Sequence, residues 1–248
     1  MHLGLVVLGF CLVFGFSVGF PTVVQDPELI GGHFEGDMVL SNQIRNGIID
    51  IAARWPDKIV YFKISEDIDD AHYNHIIRGI RNLEEISCLR FLPASSSTKA
   101  YINVTANAGG CFSAVGYTGK VQPLNLELGP LDAGCYRIGT VMHEFLHALG
   151  FYHQQSASDR DDFVTIVEEN IIPSTKGNFN KYDASYITDF GVEYDYGSVM
   201  HYGPFAFTQN GEMTIVPKKE GAEIGQRRGL SNKDIYKLNL MYKCPNQS

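Results

Sequence analysis

The most informative segment of the chain is HEFLHALGFYH, which begins at His143 and ends at His153. On a helix, side chains four positions apart lie one turn above each other, so His143 and His147 present two imidazoles to one point. Glu144 is one step round the helix and can reach a water molecule there. Gly150 can adopt the positive φ that ends a helix, after which the chain can return His153 as a third ligand. The segment therefore predicts a metal site on a helix and its following loop.

Zinc is the metal that this set of side chains favours. Three neutral imidazole nitrogens leave one tetrahedral position open, which is typical of catalytic zinc. A closed structural site would need a fourth protein ligand and would not use Glu144. Zinc lowers the pKa of a bound water towards about 7, and Glu144 can take that proton and pass it to a leaving amine. We therefore expect one Zn²⁺ per chain, held by His143, His147 and His153, and peptide-bond hydrolysis with Glu144 as the base.

A second segment, YGSVMHY, follows about fifty residues later. H-E-x-x-H-x-x-G-x-x-H with a later Met-turn resembles the metzincins. GTVMHEFLHALGFYH and YDYGSVMHY are similar to the astacin family in particular, and the similarity runs from about Phe34 to Cys244. It implies that Met200 lies beneath the metal and that Tyr202 is an additional zinc ligand that swings away to steady the oxyanion. Without it, Tyr202 would be interpreted as a core aromatic. His201 is interpreted as structural.

The resemblance also implies the fold. It is an α+β, two-lobed metzincin or astacin-like catalytic domain, with a twisted mixed sheet and the zinc helix in the N-terminal lobe. The C-terminal lobe would be irregular and end in a helix. From residue patterns we predict strands at 58–64, 88–92, 101–105 and 122–128, and helices after Ser65 and near 163–172 and 231–242. One face of the first helix is formed by Ile76, Ile80, Leu83 and Ser87, and Ser231 with Asp234 makes a capping box at the start of the last helix. Pro123 predicts a sheet edge for the last strand, along which the resemblance implies that extended substrates bind.

The cysteines indicate an oxidising compartment. Cys11 lies in the apolar N-terminal stretch, so four would remain in the exported chain. An even number without a C-x-x-C pair indicates two disulfides, and spacing alone leaves three pairings open. The astacin resemblance implies one bond between Cys88 and Cys244 and another between Cys111 and Cys135.

The N-terminal residues predict export. Residues 3–20 are uncharged and mostly apolar, so residues 1–19 are predicted to be a signal peptide cleaved after Gly19. The weakly basic start leaves an uncleaved membrane anchor as the alternative. We expect a secreted, extracellular monomer that does not contact membranes after signal removal. The net charge of −8, without a long basic run, argues against nucleic acid as a partner.

Residues 20–45 have the composition of a propeptide, which leaves residues 46–248 as the protease domain of a minimal, single-domain member. FEGD, ending at Asp37, resembles the F-x-G-D motif with which astacin propeptides block their own zinc. The resemblance therefore implies that Asp37 is a zinc ligand in the zymogen only; read alone, it is a turn aspartate. An activating protease is expected to cut between Arg45 and Asn46. The substrates would be proteins or peptides.

Three further features are left open. Gln154 follows the third histidine where astacins usually have a glutamate that engages the mature N-terminus, so the resemblance does not extend to that ion pair. Arg227 and Arg228 lie in a stretch that resembles the one from which some astacins place a basic residue at the pocket for the residue after the cut, and the alternative is that both are solvated surface charges. Asn103 begins an N-glycosylation sequon that could lie in a strand. A catalytically silent, zinc-binding decoy is the alternative function.

Overall fold

The computed structural model describes residues 26–40, 51–183 and 188–245. The predicted signal peptide and the predicted processing point between Arg45 and Asn46 lie outside these ranges. In the described ranges, no helix is both long and apolar enough to span a membrane. The helices are α1 (Asp70–Glu85), α2 (Ile138–Leu149) and α3 (Asn232–Met241). The strands are β1 (Met38–Val39), β2 (Ile59–Ile64), β3 (Arg90–Pro93), β4 (Ile102–Thr105), β5 (Cys111–Ala114), β6 (Gln122–Leu126), β7 (Val164–Ile166) and β8 (Ile215–Pro217).

Six strands form one mixed sheet in the order β1-β5-β6-β4-β2-β3. β5 and β6 are antiparallel, and the other neighbours are parallel. This sheet packs with α1 and α2 around the larger buried apolar cluster. A second cluster, which includes Phe179, Tyr194 and Phe207, lies in the later part of the chain, where β7 and β8 form a separate pair. The expected α+β fold with two lobes is confirmed.

Helix α1 follows the predicted periodicity. Asp69 caps its first turn, and Ile76, Ile80 and Leu83 form its buried face. Gly79 faces α2 so closely that a Cβ there would lie 2.8 Å from a side-chain carbon of Val141. A larger residue at this position would have to displace Val141, so Gly79 permits the close approach of α1 to the helix that carries the site.

The predicted edge position of Pro123 is wrong, because β6 lies between β4 and β5. The amide of Gln122 donates to the carbonyl of Tyr101 on the β4 side, so the nitrogen of Pro123 faces the β5 side. The pairing of β6 with β5 begins only at the next residue, Leu124, which is opposite Ser113. Pro123 therefore stands where the ladder needs no donor. The edge strand on this side of the sheet is β1, which pairs with β5 in parallel.

The predicted helix near residues 163–172 is also wrong. The chain forms β7 there, followed by a short 3-10 helix at Glu168–Asn170. β7 pairs with β8, about fifty residues later in the chain. The β-branched run Val164, Thr165 and Ile166 suits a strand, and Val164 is buried in the second cluster.

Two disulfides connect distant parts of the chain. The structure joins Cys88 to Cys244 and Cys111 to Cys135, the pairing that the resemblance implies. The first bond links the segment before β3 to the end of α3. In the simple loop-entropy treatment, closing a loop of 156 residues lowers the entropy of the unfolded chain and so stabilises the fold by about 5 kcal/mol.

Candidate active site

Helix α2 and the loop after it bring three histidines together. His143 and His147 lie one turn apart, with 3.0 Å between their Nε2 atoms. Gly150 ends the helix with φ 107°, and its N–H donates to the carbonyl of His147. The chain then returns His153, so that one ligand atom from each histidine and one carboxylate oxygen of Asp37 all lie within 4.8 Å of one another. These four residues are buried.

The Nδ1 atoms of the three rings, which we call the outer nitrogens, all have hydrogen-bond partners. Nδ1 of His143 lies 2.8 Å from the carbonyl oxygen of Val199, and Nδ1 of His147 lies 2.7 Å from that of Phe151. Since a carbonyl only accepts, both Nδ1 atoms carry the hydrogen and both Nε2 atoms keep a lone pair for a metal. Nδ1 of His153 lies 2.8 Å from a carboxylate oxygen of Glu35 instead.

Asp37 is the fourth member of this group. Its Oδ2 lies 3.2 Å from Nε2 of both His143 and His153, and its Oδ1 lies 3.5 Å from Nε2 of His147. Oδ1 has no hydrogen-bond partner among the described residues although it is buried. Lone pairs that converge in this way can bind a cation between them. Three imidazole nitrogens and one carboxylate oxygen are a ligand set that zinc accepts, so the residues fit a zinc ion.

Glu144 lies beside this group but is not one of its members. Both of its carboxylate oxygens are buried and have no hydrogen-bond partner in the described ranges. Burial, together with the negative charges of Asp37 and Glu28, raises the pKa of Glu144 well above its ordinary value. A buried carboxyl group that binds neither the metal nor the protein is available for proton transfer.

Helix α3 holds the loop that contacts His143. The carboxylate of Asp234, which forms the predicted capping box, also accepts hydrogen bonds from Ser198 Oγ at 2.6 Å and from the amide of Val199 at 2.8 Å. Val199 in turn accepts from His143. Sequence analysis identified Asp234 only as a helix cap, because no local pattern shows its contact with a loop 35 residues away.

The residues of the second segment lie around this loop. Met200 is buried in the main cluster, and its carbonyl accepts from the amide of Gln154. The hydroxyl of Tyr202 donates to the carbonyl oxygen of Glu35 at 2.5 Å, and its ring centroid lies 4.6 Å from that of His153. His201 lies outside the metal group: its Nδ1 donates to the carbonyl of Tyr202, its Nε2 accepts from a tyrosine hydroxyl, and burial lowers its pKa to about 4. This agrees with a structural role.

Residues 26–40, which we call the blocking segment, lie against the site. Glu28 is 1% exposed, and its carboxylate accepts from Arg227 at 2.5–2.8 Å and from the hydroxyl of Thr140 at 2.7 Å. The turn that presents Asp37 needs Gly36, which has φ 91°. A Cβ there would lie 2.6 Å from the carbonyl oxygen of Glu28. Sequence analysis missed Glu28, whose partner Arg227 is 199 residues away.

The structure gives positions for the three features that the sequence left undecided. Arg227 is buried, whereas Arg228 is exposed. The side-chain oxygen of Gln154 accepts from the ammonium group of Lys237 at 2.8 Å, and burial lowers the pKa of Lys237. Asn103 is half-buried in β4, so the sequon does lie in a strand. Glycosylation there stays a prediction.

Comparisons with known proteins identify the family. The model of the astacin peptidase family matches residues 47–243. Seminal metalloprotease 1 of Drosophila melanogaster is 45% identical over 232 residues, which cover 91% of this chain and 92% of that protein. Zinc metalloproteinase nas-4 of Caenorhabditis elegans is 36% identical over 237 residues, which cover 91% of this chain and 73% of that protein.

Solved structures agree with the sequence matches. High choriolytic enzyme 1, a hatching enzyme zinc-protease from Oryzias latipes, superposes with a TM-score of 0.70 at 35% identity, covering 77% of this chain and 94% of that one. The structure of myroilysin shares the fold with a TM-score of 0.59 at 19% identity, over 80% of this chain and 98% of that one. Together with the metal group at the histidines, these matches establish that the chain belongs to the astacin family and is a zinc metalloendopeptidase.

Proposed function

We propose that this zinc metalloendopeptidase is made as a secreted zymogen whose blocking segment closes the zinc site. The observation that carries the proposal is the carboxylate of Asp37, which lies among the Nε2 atoms of His143, His147 and His153. A carboxylate in the fourth ligand position excludes the catalytic water. Residues 1–19 would be the signal peptide, residues 20–45 the propeptide and residues 46–248 the protease domain.

Activation would follow a cut between Arg45 and Asn46 by an activating protease. Departure of the blocking segment would remove the charges of Asp37 and Glu28, which help to raise the pKa of Glu144. The pKa of Glu144 would then fall, and the ionised carboxylate could act as a base. The same step would release the hydroxyl of Tyr202 from the carbonyl of Glu35.

The residues of the processed site have separate roles in hydrolysis. Zinc, when bound, polarises the scissile carbonyl and lowers the pKa of a water molecule. His143, His147 and His153 would hold it through Nε2. Glu144 would take a proton from the water and deliver it to the leaving nitrogen. Tyr202 would be a neutral donor, because a tyrosine hydroxyl ordinarily titrates at about pH 10, and its hydroxyl would donate to the oxyanion.

Protein or peptide substrates would bind in extended form beside β5, where β1 of the blocking segment now lies. Of the two arginines, Arg227 is the one that fits an acidic side chain after the cut. It is buried at the site and already binds a carboxylate, that of Glu28, in a charge-assisted pair. Loss of selection for aspartate or glutamate in a peptide library on Arg227→Lys, but not on Arg228→Lys, would support this assignment.

The proposals about cellular location and oligomeric state rest on features of the sequence. The apolar N-terminal stretch and the two disulfides favour an extracellular protein, which we propose is a monomer that does not contact membranes after signal removal. N-terminal sequencing of secreted material would show whether residues 1–19 are absent or remain as an anchor.

The zymogen is tested with the uncut chain. Asp37→Ala precursor should hydrolyse a peptide before processing, whereas Asp37→Ala combined with Glu144→Ala should not. If the Asp37→Ala precursor is as inactive as the natural precursor, Asp37 is only a turn residue. If the processed natural chain binds zinc without hydrolysing any peptide in a broad library, the alternative of a zinc-binding decoy is correct.

A further inference from the structure

The three metal-binding histidines differ in how their outer nitrogens are held. His143 and His147 donate to backbone carbonyls of the domain, which remain in place in any processed form. His153 donates to Glu35 of the blocking segment. Partners of this kind orient the ring and set its basicity, and a carboxylate accepts more strongly than a carbonyl. The third histidine therefore has the strongest partner, and that partner is on the removable segment.

Glu35 is held in this place by several contacts. Its side chain is fully buried. Oε2 lies 2.8 Å from Nδ1 of His153, Oε1 accepts from the hydroxyl of Tyr182 at 2.7 Å, and the hydroxyl of Ser156 lies 3.2–3.3 Å from both oxygens. The backbone of Glu35 has φ 49°, which a residue with a side chain rarely adopts. The contacts of the carboxylate and of Tyr202 with the carbonyl of Glu35 maintain this strained conformation.

We propose that Glu35 is a positioning residue of the zinc site in the precursor, acting on zinc through His153 and not by direct ligation. The proposal deepens the proposed function, since it assumes a zymogen with a blocking segment. It implies that zinc binding and docking of the segment strengthen each other. By linkage, the factor by which the docked segment raises zinc affinity is the factor by which zinc raises the affinity of the segment, and Glu35 and Asp37 both contribute to it.

The competing explanation is that Glu35 only clamps the segment to the domain. Two variants separate the explanations. Glu35→Gln keeps the size of the side chain and an oxygen that can accept from His153, but it removes the charge. The double variant Ser156→Ala with Tyr182→Phe removes the clamp and leaves the contact with His153.

The experiment measures zinc affinity of the full-length precursor by competition with a chelator of known affinity. All proteins carry Glu144→Ala to prevent self-cleavage. Mutation of an outer-shell partner typically costs about 10- to 100-fold in metal affinity, so removing the charge of this partner by Glu35→Gln should raise the zinc Kd by that factor. The Ser156→Ala and Tyr182→Phe double variant should change it by less than about threefold.

Processing supplies an internal control. Once residues 20–45 are cut off and removed, the natural and Glu35→Gln chains are identical, so their zinc Kd values must agree. Agreement also shows that the protease domain of the Glu35→Gln precursor folded correctly. In the reciprocal measurement, zinc should raise the affinity of a peptide of residues 20–45 for the processed chain, and by about 10- to 100-fold less for the Glu35→Gln peptide.

The proposal is overturned if the Glu35→Gln precursor binds zinc within about twofold of the natural precursor. It is also overturned if the Ser156→Ala and Tyr182→Phe double variant weakens zinc binding as much as Glu35→Gln does. Either result leaves the Asp37→Ala test of the zymogen intact, and zinc affinity can be measured whether or not the processed chain is active. The two proposals can therefore fail independently.

Discussion

Replacing Glu28 with alanine should make the precursor leak activity without any change at the metal ligands. Glu28 binds Arg227 through two guanidinium nitrogens, and both side chains are buried. Removal of one partner of such a pair costs about 3–5 kcal/mol, because the other charge stays buried without a counter-ion. At 1.4 kcal/mol for each factor of ten, the open fraction of the precursor should rise by at least about 10²-fold.

Asp26→Ala is the matched control for this prediction. Asp26 is on the same segment and pairs with Arg137 at 2.7 Å, but the two side chains are 33% and 29% exposed. A pair that water reaches in this way contributes about 0–1 kcal/mol, so the leak should rise by no more than about fivefold. Both variants would carry Arg45→Gln to block processing, and hydrolysis of a quenched fluorescent peptide by the uncut chain would measure the leak. Equal leaks from Glu28→Ala and Asp26→Ala, or no leak from either, would refute the reasoning.

The same ion pair has a defined pH dependence. Burial opposes ionisation of Glu28, but the charge of Arg227 outweighs burial, so the pKa of Glu28 lies far below its ordinary value. Stability from a carboxyl group with a lowered pKa is present above the unfolded pKa, about 4.3 for glutamate, and is lost only as the pH falls through the folded pKa. The ratio of the leak from the Glu28→Ala precursor to that from the natural precursor should therefore not change between about pH 5 and pH 8.

Three further predictions concern the processed enzyme. Glu144→Ala should keep one zinc per chain and lose activity, because the side chain is not a ligand; metal analysis beside a peptide assay decides. Tyr202→Phe should lower kcat by about 10²-fold or more with little change in zinc content, because it removes a donor to the oxyanion, and an unchanged kcat would exclude that role. One extra residue before Asn46 should leave activity and Tm nearly unchanged, because Gln154 already accepts from Lys237 and cannot neutralise an ammonium group. A large loss of either property would contradict this.

Features with a short-range signal could be predicted from the sequence. The spacing of Ile76, Ile80 and Leu83 predicted α1, and Ser231 with Asp234 predicted the start of α3. Both signals arise within one or two helical turns. The metal histidines also follow from local spacing, since two lie on α2 and the third follows Gly150.

Features that depend on distant partners could not be predicted. β7 was mistaken for a helix because the strand that pairs with it comes about fifty residues later. Pro123 indicated an edge strand because it has no N–H to donate. Only the length of β5, which ends before it reaches Pro123, shows that its nitrogen needs no partner on an inner strand. Glu35 and Glu28 lie in a segment without periodicity, 118 and 199 residues from His153 and Arg227. No local pattern in the chain connects these pairs.

The blocking segment should depend on its charges as well as on its shape to suppress catalysis. Its buried carboxylates meet positive partners: Glu28 meets Arg227, and Asp37 and Glu35 meet His153 at a site that fits a cation. A neutral segment of the same shape would fill the same space but would leave the buried guanidinium of Arg227 without a counter-charge. It would also present no carboxylate to the group formed by the three histidines. The docked state of a neutral segment should therefore be less stable, so the acidic residues hold the segment in the position from which its shape blocks the site.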